Sequence, residues 1–197
     1  MVKIAVTVER ADEPRVAISP ETVKKYAGLG CTVAIETGAG ERSRFSDADL
    51  AAAGAEIAAT GEAATKDADI LLGVARPSTA TVQSLKPGAI AVAMMDPFGD
   101  RAALDELAAT GHPAFTMEFM PRISRAQSMD VLSSQANLAG YKAVIDGASM
   151  FEQAMPMMMT AAGTVPAAKV FIMGVGVAGL QAIAQTTLAL PSTSCRG

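Results

Sequence analysis

Between Pro121 and Ala148 the sequence reads PRISRAQSMDVLSSQANLAGYKAVIDGA, which gathers Arg122, Arg125, Gln127, Asp130 and nearby serines into a polar loop leading into a helix. Arg and Gln side chains can donate hydrogen bonds to the oxygens of a ligand, and a carboxylate can orient an Arg. A solvated loop that simply caps the next helix is the plain alternative reading. Further on lies a second element with chemistry in it, Gly174–Gly179, GVGVAG. It follows an apolar run, AKVFIM, and precedes LQAIA, so it reads as a strand-to-helix turn. In that setting the first glycine permits the tight turn, the second lets the backbone approach a pyrophosphate, and the third allows close helix-to-strand packing. The helix N-terminus then faces the negative charge. Gly174, Gly176 and Gly179 are therefore candidate cofactor-binding residues.

An intact unit of this kind needs a second strand that ends in Asp or Glu about 20 residues later. No acidic residue follows Glu152, and the tail reads QTTLALPSTSCRG. Thr186, Thr187 and Pro191 are poor continuations of a helix. The expectation is that the helix fails there, that the tail is unordered, and that the chain is truncated or frameshifted after about residue 184.

The elements that must position these groups follow from the apolar pattern. Strands are expected at Val2–Val8, Thr32–Glu36, Ile70–Val74, Ala89–Met94, Ala114–Glu118 and Ala168–Met173. Ser19 and Pro20 read as an N-cap with proline at the first helical position, opening Glu21–Leu29, and Gly30 ends that helix. Ser46 and Asp49 frame a capping box before Leu50–Gly54, and Arg101–Thr110 is another helix. Val131–Ala154 reads as one long helix with Leu132, Leu138, Tyr141, Ile145 and Met155 on a common apolar side.

Strands alternating with short helices imply right-handed βαβ units. The fold class expected is α/β: a doubly wound, mostly parallel sheet domain over about residues 1–130, a long linking helix and loop over 131–166, and the start of an incomplete Rossmann domain over 167–197. Without a partner strand, Ala168–Met173 would be an exposed edge.

Composition narrows the function. The 197 residues carry a net charge of −4 and are 50% hydrophobic, which argues against nucleic-acid binding and allows a sizeable core. The two cysteines, Cys31 and Cys195, support neither a disulfide framework nor a metal site. The start MVKIAVTVER lacks a basic segment followed by an apolar run, so no secretory signal is expected there. The apolar segment Ala154–Val165, broken by Pro156 and Gly163, is too short for a spanning helix. Met155–Met159 is read as packing or a mobile interface rather than as metal ligands.

The segment Arg125–Ala148, RAQSMDVLSSQANLAGYKAVIDGA, resembles the soluble NAD(H)-binding domain of the alpha subunit of proton-translocating NAD(P) transhydrogenases. The opening Glu9–Gly30, ERADEPRVAISPETVKKYAGLG, is similar to these and also to the alanine dehydrogenases. The resemblance runs to about residue 184. It implies that Arg122, Gln127 and Asp130, with Ser133 close by, sit where the nicotinamide of NAD(H) meets that of NADP(H) on a partner domain. Hydride transfer needs little acid–base help and demands two rings in near-attack geometry, so positioning groups of this kind suffice.

The same resemblance implies a homodimer, partnership with membrane-embedded and NADP(H)-binding subunits, and a cytoplasmic location peripheral to the inner membrane. An inactive fragment serving at most as a binding module is the alternative, with NAD(H) binding impaired.

An alanine dehydrogenase is less favoured. In that branch an Arg in the context of Arg15 binds the substrate carboxylate, with a Lys in a KVKEP-like segment and a later His. Here Gly73–Pro77 reads GVARP, with Ala75 in place of the Lys, and AIAVAMMDP holds no His. The one histidine, His112, precedes Pro113 in a turn and reads as structural.

Overall fold

The computed structural model describes residues 1–121 and 123–189, the last without its side chain; Arg122 and the tail residues 190–197, Cys195 among them, lie outside the described residues. The chain divides into two compact units, the first Met1–Pro121 and the second from residue 122 onward.

In the first unit the strands β1 (Lys3–Val6), β2 (Thr32–Glu36), β3 (Glu56–Ala58), β4 (Ile70–Leu72), β5 (Ile90–Ala93) and β6 (Ala114–Thr116) alternate with α1 (Pro20–Gly28), α2 (Asp47–Ala52), α3 (Gly61–Thr65), α4 (Thr79–Gln83) and α5 (Arg101–Ala108). All pair in parallel, in the order β3-β2-β1-β4-β5-β6. The sheet is doubly wound, as the alternation predicts.

Period-two alternation explains how the short strands carry two cores. Ala5 joins Leu71, Ala91, Ala93, Val82 and Leu107 in one buried cluster. Its neighbour Val6 joins Val23, Val33, Ile35 and Leu50 in the other. With both faces covered, the strands read as continuous apolar runs.

The helix caps form as the sequence predicts. The Thr22 N–H donates to Ser19 Oγ at 3.3 Å, with Pro20 in the first turn. Asp49 N–H donates to Ser46 Oγ at 3.1 Å, and Ser46 N–H donates back to Asp49 Oδ2 at 3.3 Å. Three elements, β3, α3 and α4, carry no clear sequence signal. Each has five residues or fewer, and alanine-rich stretches of that length show no periodicity.

The second unit contains α6 (Val131–Met150), an antiparallel hairpin of β7 (Met158–Thr160) and β8 (Gly163–Val165), and α7 (Val177–Ala189). Four expectations need correcting here. The linking helix stops at Met150, four residues early. Its supposed core side is solvent-facing, with Leu138 59% and Tyr141 44% exposed. A hydrophobic stripe does not bury itself without a partner surface, and the side that packs on α7 is instead the one bearing Gly140.

Ala168–Met173 is not a strand: no residue in it joins a ladder among the described residues. Strand formation needs a neighbour to satisfy the backbone, and none is placed beside it. Lastly, α7 continues through Thr186 and Thr187. Thr187 Oγ1 donates to the Ile183 carbonyl at 2.8 Å, and Thr186 is buried. The propensity cost of threonine is only tenths of a kcal/mol, and packing on α6 overrides it. The methionine-rich run forms one arm of the hairpin, with Met157, Met158 and Met159 exposed.

Candidate functional site

In the second unit, a 3-10 turn over Ser124–Met129 delivers the chain to α6. Gln127 and Arg125 are exposed on it, and the Gln127 carbonyl accepts from the Asp130 N–H at 3.3 Å. Asp130 is the N-cap of α6. Its Oδ1 accepts from the Ser133 N–H at 2.9 Å and its Oδ2 from Ser133 Oγ at 2.6 Å. A carboxylate at this position satisfies an orphan donor of the first turn and faces the positive helix end. Asp130 and Ser133 are thus joined within the first turn of α6, and Gln127 reaches Asp130 through its backbone carbonyl from the preceding 3-10 turn. Arg122, expected beside them, lies outside the described residues.

The glycine turn closes tightly. Gly174 sits at φ +99°, a conformation that L side chains rarely adopt. A Cβ on Gly179 would come 2.8 Å from the Gly174 carbonyl carbon, so the third glycine is required by the turn itself. A Cβ on Gly176 would meet nothing within 4 Å. The second glycine therefore presents open backbone, and the Leu180 N–H donates to its carbonyl at 2.8 Å as α7 begins.

Gly140, which carries no motif of its own, seats the helix that follows. A Cβ there would lie 3.0 Å from Ala178 Cα and closer still to the Ala178 carbonyl oxygen. A glycine at the middle of a 20-residue helix was the available signal. From Ser133 to Gly140 the rise along α6 is ~10 Å at about 1.5 Å per residue. The capped polar turn and the glycine turn are therefore separated by roughly two turns of one helix.

In the first unit the carboxyl ends of the strands form the edge where open α/β sheets bind ligands, and the strand order reverses between β1 and β4. Glu9 spans that switch point. Its Oε1 accepts from the Val74 N–H at 2.6 Å and its Oε2 from the Ala75 N–H at 3.2 Å. Burial pushes its carboxyl up from the ordinary 4.5, against the pull of those two donors.

Glu36, at the end of β2, accepts from Val8 N–H at 2.8 Å. Glu118, after β6, accepts from Asp96 N–H at 2.8 Å, from Met95 N–H at 3.1 Å and from Thr116 Oγ1. Burial raises the Glu118 carboxyl, but these donors outweigh it and hold the group below its ordinary value. Three acids thus each tie one strand end to its neighbour. The signal available was an acidic residue at or just after each apolar run.

Arg15 makes a two-point contact with Glu13, Nε to Oε1 at 2.7 Å and Nη2 to Oε2 at 2.6 Å. That hydrogen-bonded pairing holds Glu13 below its ordinary value and raises Arg15. At the Lys position of the alanine dehydrogenase pattern, Ala75 offers its backbone N–H to Glu9. His112 Nδ1 lies 3.2 Å from the Ala89 carbonyl, which can only accept. The ring therefore ties β5 to the turn before β6. Among the described residues no helix is long and apolar enough to cross a membrane.

Comparison with known proteins assigns both units. The family model "Alanine dehydrogenase/PNT, N-terminal domain" matches residues 5–139, and "Alanine dehydrogenase/PNT, C-terminal domain" matches 143–190. The chain belongs to the alanine dehydrogenase/PNT family. Within that family it is 54% identical over 188 residues to an NAD(P) transhydrogenase alpha subunit polypeptide of Rhodospirillum rubrum, covering 92% of this chain and 49% of that relative.

The solved transhydrogenase from Sinorhizobium meliloti superposes with a TM-score of 0.90 at 51% identity, covering 96% of this chain and 56% of that one. A solved L-alanine dehydrogenase superposes with a TM-score of 0.83 at 25% identity, over 95% of this chain and 52% of that one. The resemblance read from Arg125–Ala148 and Glu9–Gly30 is borne out. The chain spans about half the length of the relatives it matches.

Proposed function

We propose that this alanine dehydrogenase/PNT family member is the NAD(H)-binding component of an NAD(P) transhydrogenase. The observation that carries the reading is the glycine turn, in which open backbone at Gly176 meets the first turn of α7. Gly174, Gly176 and Gly179 would hold the pyrophosphate of NAD(H) against that helix end. Arg122, Gln127, Asp130 and Ser133 would orient the nicotinamide ring and its ribose. When bound, NADH would supply the hydride and become NAD+, and NADP+ on a partner domain would receive it and become NADPH.

The chain's own task is therefore to bind and to position. Gln127 carries the amide donors, Asp130 fixes the start of α6, and Ser133 holds Asp130. The identity to the Rhodospirillum rubrum transhydrogenase subunit supports this branch of the family over the alanine dehydrogenases. So does Ala75, which offers no side-chain cation to a substrate carboxylate.

The same reading includes a homodimer, membrane-embedded and NADP(H)-binding partner subunits that couple transfer to proton translocation, and a cytoplasmic position peripheral to the membrane. It also includes weak nucleotide binding by these 197 residues alone, because no acid after Gly179 is present to bind the adenosine ribose.

Calorimetric titration with NADH tests the expectation of weak binding: a Kd at or above ~100 μM is expected, and a value near ~1 μM would contradict it. Turnover of NADH with pyruvate and ammonia would instead place the chain with the alanine dehydrogenases and overturn the main reading.

A further inference from the structure

At the β6 end of the first unit, the last helix and the last strand leave a space that neither fills. Ala114 and Thr116, two residues apart and so on one face of β6, line it together with Leu104 and Ala108 of α5. The cavity measures 330 Å³ and is completed by Met95, His112 and Phe119. Alanines on both sides account for it, since Ala108 and Ala114 each offer a single methyl. The volume falls at the small end of the range for ligand pockets, ~300–1,000 Å³, where one ring or two fused rings fit.

The walls suit an aromatic guest. Met95 is buried and presents a thioether, and Phe119 forms the solvent-side wall. Phe98 packs edge-to-face on Phe119, with ring centroids 5.7 Å apart and planes at 76°. Phe98 itself is 88% exposed, so the pair stands open at the mouth instead of closing a core. Sulfur and ring edges both attract an aromatic face or rim.

The two polar side chains in the cavity are both acceptors. His112 Nδ1 lies 3.2 Å from the Ala89 carbonyl and must carry its proton there. Nε2, on the other side of the ring, then has only a lone pair to offer. The Thr116 hydroxyl commits its hydrogen to Glu118 Oε2, and it too can only accept. Among the described residues no Asp, Glu, Lys or Arg lines the cavity. An ion would be desolvated there without a counter-charge, and a pure hydrocarbon would leave both acceptors unpaired.

We infer that this cavity is a binding site for a small neutral aromatic molecule, of one ring or two fused rings, carrying one N–H or O–H donor. The ring lies against Met95, Leu104 and Phe119, and the donor is received by His112 Nε2. The site belongs wholly to the first unit and is independent of the glycine turn and of any nicotinamide chemistry.

Indole is the probe, because it has two fused rings, one N–H donor and no acceptor. Its comparator, 1-methylindole, has the same rings without the donor. NMR of the methionine methyls and imidazole nitrogens follows titration of the full 197-residue chain. Indole should move the Met95 methyl and His112 Nε2 resonances with a Kd of ~1 mM or tighter. 1-Methylindole should bind at least ~5-fold more weakly, as expected when one hydrogen bond is removed, and without the hydrogen-bond shift at Nε2. In Ala108→Phe, at an exposed helical position, the added ring takes up the cavity, so the shifts should vanish while thermal melting is retained. Three results would overturn the proposal: no movement at Met95 and His112 with ~5 mM indole, equal affinity for the two probes, or the same shifts surviving in a folded Ala108→Phe. The two-probe comparison needs no variant, so it decides the matter even where Ala108→Phe does not fold.

Discussion

At the scale of single residues, capping and binding compete for the same groups. Asp130 is an N-cap by geometry, while its ligand-orienting role belongs to the proposed function, and the two roles separate experimentally. Asp130→Ala should destabilise the chain by about 1 kcal/mol, and Asp130→Ser, which keeps a capping oxygen, should recover most of that by chemical denaturation. If Ser restores stability without restoring any response to NADH, the carboxylate has a role beyond the cap.

Glu118 gives a pH signature. Its folded carboxyl titrates below its unfolded value, so its contribution is present above the ordinary 4.5 and lost as pH falls through the lower folded value. Denaturation midpoints measured from pH 7 down to pH 3 should fall at the acid end, and Glu118→Gln should flatten that fall. Glu9 works the other way. Burial raises its folded pKa, so its contribution is present below the ordinary 4.5 and lost as pH rises through the folded value.

The elements were legible where local physics decides them. Ser19–Pro20 and Ser46–Asp49 announce helix starts because the cap is a short-range hydrogen bond. Thr32–Glu36 is read to the residue because its apolar run is bounded by Gly30 and Gly38. What escaped was tertiary in origin. Ala168–Met173 has the composition of a strand and lacks a neighbour, while α7 has a threonine pair yet persists because it packs on α6. The hairpin Met158–Val165 turns at Thr160–Gly163, where Thr160 Oγ1 donates to the Gly163 carbonyl at 3.0 Å, a local bond that the methionines obscured.

The crossing of α6 and α7 at Gly140 carries two predictions. Gly140→Ala should destabilise the second unit by about 1–3 kcal/mol through overpacking against the Ala178 backbone. Thr186→Val, which replaces a buried unpartnered hydroxyl with a methyl, should raise stability by about 1 kcal/mol. Thermal unfolding of both variants checks the pair.

For the whole molecule, the candidate site was legible to different depths in its two halves. The glycine turn was readable because its chemistry is local backbone geometry. The Arg122–Ser133 loop gained its meaning from family resemblance, since a polar loop before a helix is otherwise an ordinary cap. The stitching of the first unit by Glu9, Glu36 and Glu118 was not legible, because each contact joins residues 22 to 66 positions apart.

The central claim is that the glycine turn and the capped polar turn together receive NAD(H). Nitrogen-15 NMR of the chain during NADH titration tests it most directly, because weak binding still moves amide resonances. The account predicts shifts at Gly174, Gly176 and Gly179 and at Gln127, Asp130 and Ser133, lost in Gly176→Asp. Shifts confined to the first unit, or none at all at saturating NADH, would contradict it.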